Sequence, residues 1–321
     1  MVKMKFDRTK LAAILAAIII ASMSAVPAAA SGNLSDTGTR ESTYSYSSDA
    51  VNIALTDVGR RYISLKNISN KSVWSYTRPT VTVGSKTLST KGLVINGVYY
   101  IPFRLAAGAI GASYNYNSST KTATMSANGL YMTASNGAYS IYANDRVLFA
   151  ESPTIIMSDG RMYIPAKSFA KAVGMTLNAD SSAISIKGSY SPLTHASKFY
   201  REDEVYWLSR IISAESKGEP LLGQIAVGNV VLNRVRSSAY PNTIYGVIFD
   251  KKYGVQFSPV LDGSIYNTPT YNCTLAAKIV LEGFDTSGGA LFFLQPQHST
   301  SSWIPKNRPY FFTIGKHDFY K

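Results

Sequence analysis

The chain has 321 residues, of which 45% are hydrophobic and 16% are charged, and its formal net charge is +13. This apolar content excludes a wholly disordered protein, because the chain can bury a core, and the length predicts about two domains. The single cysteine, Cys273, excludes an intramolecular disulfide and a cysteine-based metal cluster, and the three histidines leave little room for a histidine-rich metal site. We therefore expect no bound metal and no cofactor.

Residues 1–30 have the pattern of a secretory signal peptide. Four basic residues occur within the first ten positions, an apolar run follows at 11–23, and three alanines at 28–30 precede Ser31. A positive start, a short apolar run and small residues at the exit are typical of cleaved export signals. The alternative is an uncleaved membrane anchor, but the run is shorter than the roughly 20 apolar residues that a membrane-spanning helix needs. We predict a secreted protein with no membrane association after cleavage.

The positive charge is concentrated in the first part of the chain. Without residues 1–30 the net charge is +10, of which residues 31–200 contribute +8 and residues 201–321 contribute +2. In an exported protein, a basic half is better matched to an anionic cell envelope than to nucleic acid. We therefore predict envelope binding through the basic N-terminal part and no nucleic-acid partner. The alternative is a basic surface that serves solubility alone.

Composition divides the rest of the chain into two domains and two linkers. Residues 31–80 are rich in Ser and Thr without sustained periodicity, which predicts a linker that carries one early strand at 62–65. Residues 189–203 predict a second, shorter linker. The first domain is expected at residues 81–188 and the second at residues 204–321.

Residues 81–188 contain an internal repeat. The tripeptide Tyr-Ile-Pro at 100–102 returns at 163–165, an offset of 63 residues, and an Asn-Gly or Asp-Gly pair (96–97 and 159–160) precedes each copy. Such pairs tolerate the positive φ of a two-residue hairpin turn. Each copy predicts a hairpin, a short Ala-rich helix that begins at proline, a glycine stop and a further hairpin. Two such units can pack their apolar faces together.

This repeat, with its paired N/D-G and YIP segments, resembles the copper amine oxidase-like N-terminal repeats found in exported bacterial proteins. Residues 81–188 contain no histidine and no cysteine, so copper would have no soft ligand here. The resemblance leaves two roles open, which are binding to the cell wall and a purely structural spacer.

The second domain begins with a predicted helix over 203–219 on which Glu215 is the residue of interest. Val205, Leu208, Ile211 and Ile212 recur at helical steps, and Glu215 continues this apolar stripe. A carboxyl group in such a place is partly desolvated, which raises its pKa. A carboxylic acid that is protonated near neutral pH can donate a proton to the leaving oxygen of a glycoside. The alternatives are a glutamate paired with an arginine or one that faces solvent.

A second amphipathic helix is predicted over 220–236. Gly228 lies in its interior, where glycine costs roughly 1 kcal/mol relative to alanine, so we expect a close approach to the first helix. The pattern then predicts two shorter helices at 244–249 and 270–282 and extended segments at 290–294 and 310–314. The fold class is therefore α+β, with a two-repeat hairpin and helix module followed by a mainly helical domain.

The second domain resembles the SleB/CwlJ family of spore-cortex-lytic and cell-wall hydrolases. The likeness covers about residues 204–321 and rests on many short motifs, namely SAESKGEP, GQ-x-AV, NRV, YPNTI, QFSP, GG-AL-FF and IGKHDFY. It implies a lysozyme-like fold and cleavage of peptidoglycan glycan strands as a lytic transglycosylase, with Glu215 as the catalytic acid. Most family members have alanine after this glutamate, whereas this chain has Ser216. The resemblance leaves open whether the substrate is spore cortex or vegetative wall.

Several further residues are candidates for contacts with the substrate. Glu219, four residues after Glu215, is expected to have a structural or substrate-positioning role. Gln256, Phe257 and Ser258 are expected, by family likeness, to line the cleft with an amide, a ring face and a hydroxyl. Weaker candidates for stacking on sugars are Tyr253, Trp303 and Tyr310. Asn233 and Arg234 are expected to form a structural pair at a helix end, and His317 is expected to be buried and hydrogen-bonded.

The mechanism depends on how many carboxyl groups the site contains. A glycosidase that hydrolyses its substrate needs a second carboxylate, but Asp250, Asp262 and Asp285 lie in predicted loops and have no place assigned by the sequence. A lytic transglycosylase needs one carboxyl group that acts first as acid and then as base. Two alternatives stay open, which are a zinc-dependent amidase and a non-catalytic wall-binding protein. The amidase needs about three ligands, for which only His298 and His317 are available.

Overall fold

The structure is a computed structural model that describes residues 76–252, 254–297, 299 and 303–321. The predicted signal peptide, the strand at 62–65 and nearly all of the first predicted linker lie outside the described residues, as do Tyr253 and His298. Within the described part of the chain, none of the helices combines the length and the hydropathy that crossing a bilayer requires.

Both predicted copies of the repeat form a hairpin, a helix and a second hairpin, which confirms the expected order. The first copy consists of β3 (Leu93–Ile95), β4 (Val98–Pro102), α1 (Phe103–Ala109), β5 (Ser113–Asn117) and β6 (Thr122–Ala127). The second copy consists of β10 (Ile155–Ile156), β11 (Met162–Pro165), α2 (Ala166–Val173), β12 (Thr176–Ala179) and β13 (Ala183–Lys187). A proline is the N-cap of each helix.

The first hairpins of the two copies turn differently. Asn96 and Gly97 both have positive φ (52° and 79°) and form the predicted two-residue turn. The prediction of the same turn at Asp159-Gly160 is wrong, because only Gly160 has a positive φ and a three-residue loop, 158–160, joins the strands beyond the hydrogen bond from the Met157 N–H to the Arg161 carbonyl. The Asp159 carboxylate accepts hydrogen bonds from the backbone N–H and the guanidinium of Arg161, at 3.0 and 3.1 Å, which hold the wider turn.

The two copies meet through their Tyr-Ile-Pro segments. Strands β4 and β11 are antiparallel, and Ile101 lies opposite Ile164. The rings of Phe103 and Phe169, at the starts of the two helices, contact each other edge-to-face at 6.5 Å. All four side chains are fully buried. The two half-units therefore share one core, as the repeat predicts.

Five further strands and one short helix complete the first half of the structure. Strand β1 (Thr80–Val83) pairs with β13 in parallel and with β2 (Lys86–Thr87) antiparallel. Strands β7 (Leu130–Ser135), β8 (Ser140–Ala143) and β9 (Arg146–Phe149) extend the β5–β6 hairpin into a five-stranded sheet. The segment predicted as the second linker contains α3 (Ala196–Phe199), and its Ser191 N–H donates to the Val173 carbonyl of α2.

The second half of the structure is mainly helical, as predicted. Its elements are α4 (Glu202–Ser216), α5 (Leu221–Arg236), α6 (Ile244–Ile248), α7 (Pro259–Asp262), a 3-10 helix (Ser264–Tyr266), α8 (Tyr271–Leu281), β14 (Phe292–Leu294), α9 (Trp303–Asn307), β15 (Tyr310–Ile314) and β16 (His317–Tyr320). The three strands form an antiparallel sheet in the order β14–β16–β15.

Helices α4, α5 and α8 form the centre of this domain. A Cβ atom on Gly228 of α5 would lie 2.7 Å from Ile212 Cδ1 on α4 and 3.0 Å from Val280 Cγ2 on α8. The backbone of α5 therefore approaches both neighbours more closely than any larger residue would allow. This confirms the expected close contact between α4 and α5.

The repeat module packs directly against the helical domain. Val147 of β9 belongs to the hydrophobic core that the helices form, and the rings of Phe149 and Phe284 are in edge-to-face contact at 4.9 Å. Glu282, which directly follows α8, accepts hydrogen bonds from Arg146 and Lys171 of the repeat module. The described parts of the two domains are thus joined by a buried interface in addition to the connecting chain.

Candidate active site

Glu215 lies in the last turn of α4. The helix ends at Ser216, whose hydroxyl donates to the Ile212 carbonyl at 2.7 Å, and Gly218 and Pro220 follow. The Glu215 side chain is half-buried. Among the described residues, none forms a hydrogen bond or an ion pair with its carboxyl group, so the paired arrangement considered for this residue is not observed there.

The surroundings of Glu215 favour the protonated form of its carboxyl group. Burial raises the pKa of Glu215 to about 7, and the negative charge of Asp262 raises it as well. The positive charge of Arg234 acts in the opposite direction. A carboxylic acid with a pKa near the working pH is suited to donate a proton and take one back. The local chemistry expected from the apolar stripe of α4 is present.

Asp262 is a second carboxylate of the site that the sequence left unplaced. It ends α7, its side chain is exposed, and its Oδ1 accepts the Ser264 backbone N–H at 2.8 Å. Hydrogen bonds from the side chain and backbone of Ser264 lower the pKa of Asp262. The site therefore contains two carboxyl groups whose pKa values are shifted in opposite directions, that of Glu215 upward and that of Asp262 downward.

Arg234 brings a buried positive charge to the same site. It is 5% exposed, its Nε donates to the Leu291 carbonyl at 2.8 Å, and its Nη1 has no hydrogen-bond partner among the described residues. The guanidinium lies within 5.5 Å of the ring centres of Tyr240, Phe257 and Phe292. No described carboxylate forms an ion pair with it. A buried guanidinium in this state is costly, which points to a role beyond packing.

Asn233 and Arg234 were expected to be a structural pair at a helix end, and Asn233 has such a role. Asn233 donates to the Ser287 hydroxyl and the Ala290 carbonyl, at 2.8 and 2.9 Å, and so joins α5 to the segment before β14. Arg234 also acts on Glu215 through its charge, a role that was not predicted for it. The signal was present, since Val227, Val230 and Val231 place position 234 on the buried stripe of α5.

The segment Gln256-Phe257-Ser258 separates into a buried ring and two polar residues. Phe257 is 3% exposed and packs in the core beside Phe293, with ring centres 6.4 Å apart. The expected contact between this ring and a substrate is therefore wrong, because the ring is buried. The ring instead packs beneath the guanidinium of Arg234. Gln256 bonds to the Gly254 carbonyl, and Ser258 is exposed at the start of α7. These two residues stay predicted contacts.

Glu219 holds the turn between β15 and β16. Its side chain is 6% exposed, and its Oε2 accepts the Lys316 backbone N–H at 2.8 Å. Gly315 leaves room for this carboxylate, since a Cβ there would collide with Glu219 Oε2. The geometry favours the structural alternative for Glu219 over direct contact with a substrate.

His317 is buried, as expected, but its bonding differs from the expectation. Its Nδ1 lies 3.9 Å from Glu219 Oε1 and has no hydrogen-bond partner among the described residues. Burial lowers the pKa of His317, so the ring is neutral near pH 7. The ring packs edge-to-face on Phe293 at 5.4 Å.

Tyr310 remains accessible to a ligand. It begins β15, it is 59% exposed, and its hydroxyl bonds to that of Thr313 at 2.9 Å. Trp303 is 51% exposed and has the guanidinium of Arg308 over its ring at 5.2 Å. Both stay candidates for stacking on sugars.

The described residues show no group of three or more His, Cys, Asp and Glu side chains that could hold a metal ion. The repeat module in particular has no histidine or cysteine between residues 81 and 188. Its residues do not fit copper, which prefers imidazole and sulfur ligands.

Two family models match the chain. The model described as Cell Wall Hydrolase matches residues 218–320, and the model described as Copper amine oxidase N-terminal domain matches residues 80–187. The first match includes Glu219, Arg234 and Asp262 and begins three residues after Glu215.

Curated relatives cover parts of the chain. The chain is 36% identical to a spore cortex-lytic enzyme of Bacillus cereus over 167 aligned residues. The alignment covers 50% of this chain and 63% of that protein. The chain is 39% identical over 120 residues to a spore cortex-lytic enzyme of Halalkalibacterium halodurans, which covers 37% of this chain and 35% of that protein. The chain thus spans less than two thirds of the length of these relatives.

Among solved structures, the chain is similar to the catalytic domain of the germination-specific lytic transglycosylase SleB from Bacillus anthracis. The two are 42% identical over 38% of this chain and 97% of that domain, with a TM-score of 0.35.

Proposed function

Because the C-terminal domain of this chain belongs to the cell wall hydrolase family, we propose that the protein cleaves the glycan strands of peptidoglycan as a lytic transglycosylase. The observation that carries this proposal is the half-buried carboxyl group of Glu215, whose pKa burial raises to about 7. At neutral pH such a group is protonated in a substantial fraction of the molecules, so it can donate a proton. The carboxylate that remains can then accept a proton as a base.

The proposed reaction uses Glu215 twice. The protonated carboxyl donates its proton to the oxygen that bridges N-acetylmuramic acid and N-acetylglucosamine, and the bond from the anomeric carbon to that oxygen breaks. The Glu215 carboxylate then accepts the proton of the C6 hydroxyl of the muramic acid, whose oxygen bonds to the anomeric carbon. The products are a 1,6-anhydromuramic end and a free hydroxyl on the leaving sugar. No water is consumed, and Glu215 is protonated again.

Arg234 supports the second half of this cycle. Once Glu215 has donated its proton, the site contains a new negative charge, which the buried guanidinium stabilises. Fixed charges in a partly dehydrated site stabilise a developing charge without reorganisation during the reaction.

Hydrolysis is the second candidate, and the ionised carboxylate of Asp262 is the observation that favours it. A neutral acid together with a charged carboxylate is the pair that glycosidases use to activate water or form a covalent intermediate. Asp262 is exposed to solvent and held by Ser264, so it would act on the sugar from the open side of the site.

The relatives suggest the biological setting. The curated relatives from Bacillus cereus and Halalkalibacterium halodurans are both spore cortex-lytic enzymes. We extend the proposal to degradation of spore cortex, with export directed by residues 1–30 and attachment to an anionic envelope supported by the basic charge of residues 31–200.

One digestion separates the candidate reactions. Purified spore-cortex and vegetative peptidoglycan are incubated with the protein, and the fragments are analysed by mass spectrometry. Anhydromuramic ends are expected from the transglycosylase, whereas free reducing ends would favour hydrolysis through Asp262. Release of stem peptides from intact glycan would contradict both and favour an amidase.

The same digestion with Glu215→Gln tests the catalytic residue. We expect the rate to fall by about 10²–10⁴-fold, the usual contribution of a general acid, while the protein stays folded. Glu204→Gln is the matched control, because Glu204 lies on the same helix in its exposed first turn and should leave the rate unchanged. A Glu215→Gln variant that still forms anhydromuramic ends would contradict the proposal.

A further inference from the structure

Five aromatic side chains of the helical domain contact one another at the surface, and we call them the aromatic platform. They are Tyr206 and Trp207 of α4, Tyr245 of α6, Phe249 just after it, and Tyr266 of the 3-10 helix. The ring centre of Trp207 lies 4.9 Å from that of Tyr206 and 5.3 Å from that of Tyr245. It lies 5.1 Å from that of Phe249 and 6.2 Å from that of Tyr266.

The platform consists of a buried base and an exposed top. Trp207 and Phe249 are half-buried and pack against the hydrophobic core. Tyr206, Tyr245 and Tyr266 are 45%, 53% and 59% exposed. Contiguous apolar surface that stays exposed is a mark of interaction and ligand-binding sites.

The rings of the platform are held in place before any ligand binds. Trp207 meets its four neighbours at interplanar angles between 65° and 86°, so each ring edge rests on the face of the next. Tyr245 also lies against Phe249 at 4.5 Å, and the guanidinium of Arg210 covers Tyr206 at 3.9 Å. A rigid surface loses little side-chain entropy when it binds.

The platform and the candidate active site share two segments of the chain. Trp207 and Glu215 lie eight residues apart on α4, which is about 12 Å along the helix axis. On the other side, Tyr266 follows Asp262, the carboxylate that acts on Glu215, by four residues. A polymer bound with one linkage at Glu215 can therefore extend along α4 over these rings.

We propose that the aromatic platform binds the glycan strand several sugars away from the linkage that is cleaved. The tyrosine rings would stack on the apolar faces of the sugars, and their hydroxyl groups would bond to sugar hydroxyls. The occupant is a glycan rather than a second protein or a lipid surface, because the platform lies on the path of a strand held at Glu215. This inference rests on the proposed function and assigns to it a requirement for long substrates.

Binding to insoluble peptidoglycan tests the platform. The catalytically inactive Glu215→Gln protein is mixed with purified sacculi, and its affinity is compared with that of the same protein carrying Tyr245→Ala and Tyr266→Ala. We expect binding to weaken by about tenfold, the usual effect of losing two aromatic contacts. Tyr245→Phe with Tyr266→Phe keeps both rings and should retain most of the affinity. Tyr271→Ala, which removes a 43% exposed ring at the start of α8, is the control and should bind like the parent, because it lies in the helical domain outside both the platform and the basic repeat module.

The length of the ligand separates the platform from the site itself. Affinity for a single disaccharide fragment should fall much less than affinity for sacculi, because a short fragment does not reach the platform. Should the double alanine variant be poorly folded, the two single variants give the same comparison, with smaller effects.

Three outcomes would overturn the inference. They are unchanged binding of the alanine variants to sacculi, an equal loss for disaccharide and sacculi, and conversion of a dimer to a monomer in light scattering, which would assign the platform to a second copy of the chain. The proposed function fails by a different result, which is continued cleavage by the Glu215→Gln protein. The two ideas can therefore fail separately.

Discussion

The guanidinium of Arg146 and the carboxylate of Glu282 form a two-pronged ion pair across the boundary between the repeat module and the helical domain. Nε and Nη2 of Arg146 lie 2.7 and 2.9 Å from the two carboxylate oxygens. Lys171 Nζ and the Tyr200 hydroxyl also donate to this carboxylate, at 2.8 and 2.9 Å. The side chains of Arg146 and Glu282 are 6% and 2% exposed. The repeat module is therefore fixed against the helical domain, and the residues of this interface are not available for other contacts.

Glu282→Gln should separate the two domains. The change leaves the Arg146 charge buried without its partner, which typically destabilises a protein by about 3–5 kcal/mol. We expect one cooperative unfolding transition in the parent protein and two transitions in the variant, measured by calorimetry. Asp159→Asn is the matched control, because its pair with Arg161 is partly exposed and should contribute less than about 1 kcal/mol. A single unchanged transition in Glu282→Gln would contradict the interface.

Glu215→Gln should become more stable than the parent as the pH rises. Because burial raises the pKa of Glu215 from 4.5 to about 7, its contribution to stability is fully present below pH 4.5 and is lost as the pH rises through 7. Glutamine has no charge to bury, so the variant avoids this loss. Melting temperatures of both proteins between pH 4 and 8.5 check the prediction. A difference in Tm that does not change with pH would show that Glu215 is solvated.

Arg234→Met should shift the pH profile of the cleavage rate to higher pH. Removal of the positive charge takes away the influence that lowers the pKa of Glu215, so the carboxyl stays protonated to higher pH. The descending limb of the rate profile should therefore shift to higher pH while the maximal rate falls. Arg236→Met is the control, since Arg236 is an exposed cation in the same last turn of α5. If the descending limb of the pH profile does not shift, Arg234 has a packing role alone.

Replacement of two helix glycines by alanine should change the free energy of unfolding in opposite directions. Gly228→Ala places a Cβ 2.7 Å from Ile212 Cδ1, and overpacking of this kind lowers the free energy of unfolding by about 1–3 kcal/mol. Gly108→Ala in α1 meets no atom within 4 Å and should raise that free energy by about 0.5–1 kcal/mol, because alanine favours helix. Denaturant titrations of both variants measure the two changes. Equal effects of the same sign would contradict the close packing of α5.

Much of the fold follows from local sequence signals. The two Tyr-Ile-Pro segments predict the strand-to-helix junctions at Pro102 and Pro165, because proline at a helix start restricts the backbone locally. The helical spacing of apolar residues predicts both α4 and the desolvated position of Glu215. These features depend on residues within one or two turns of each other, so no knowledge of distant segments is needed.

Other features depend on which distant segments meet, and only the tertiary structure decided them. The sequence offered four possible second carboxylates, and packing of α7 beside α4 placed Asp262 near Glu215 while Glu219 was engaged by the β15–β16 turn. The buried guanidinium of Arg234 and the ion pair between Arg146 and Glu282 likewise join residues that are far apart in the chain. Electrostatic effects and burial depend on distances in space, and hydrophobic patterns along the chain do not encode which surfaces will come together.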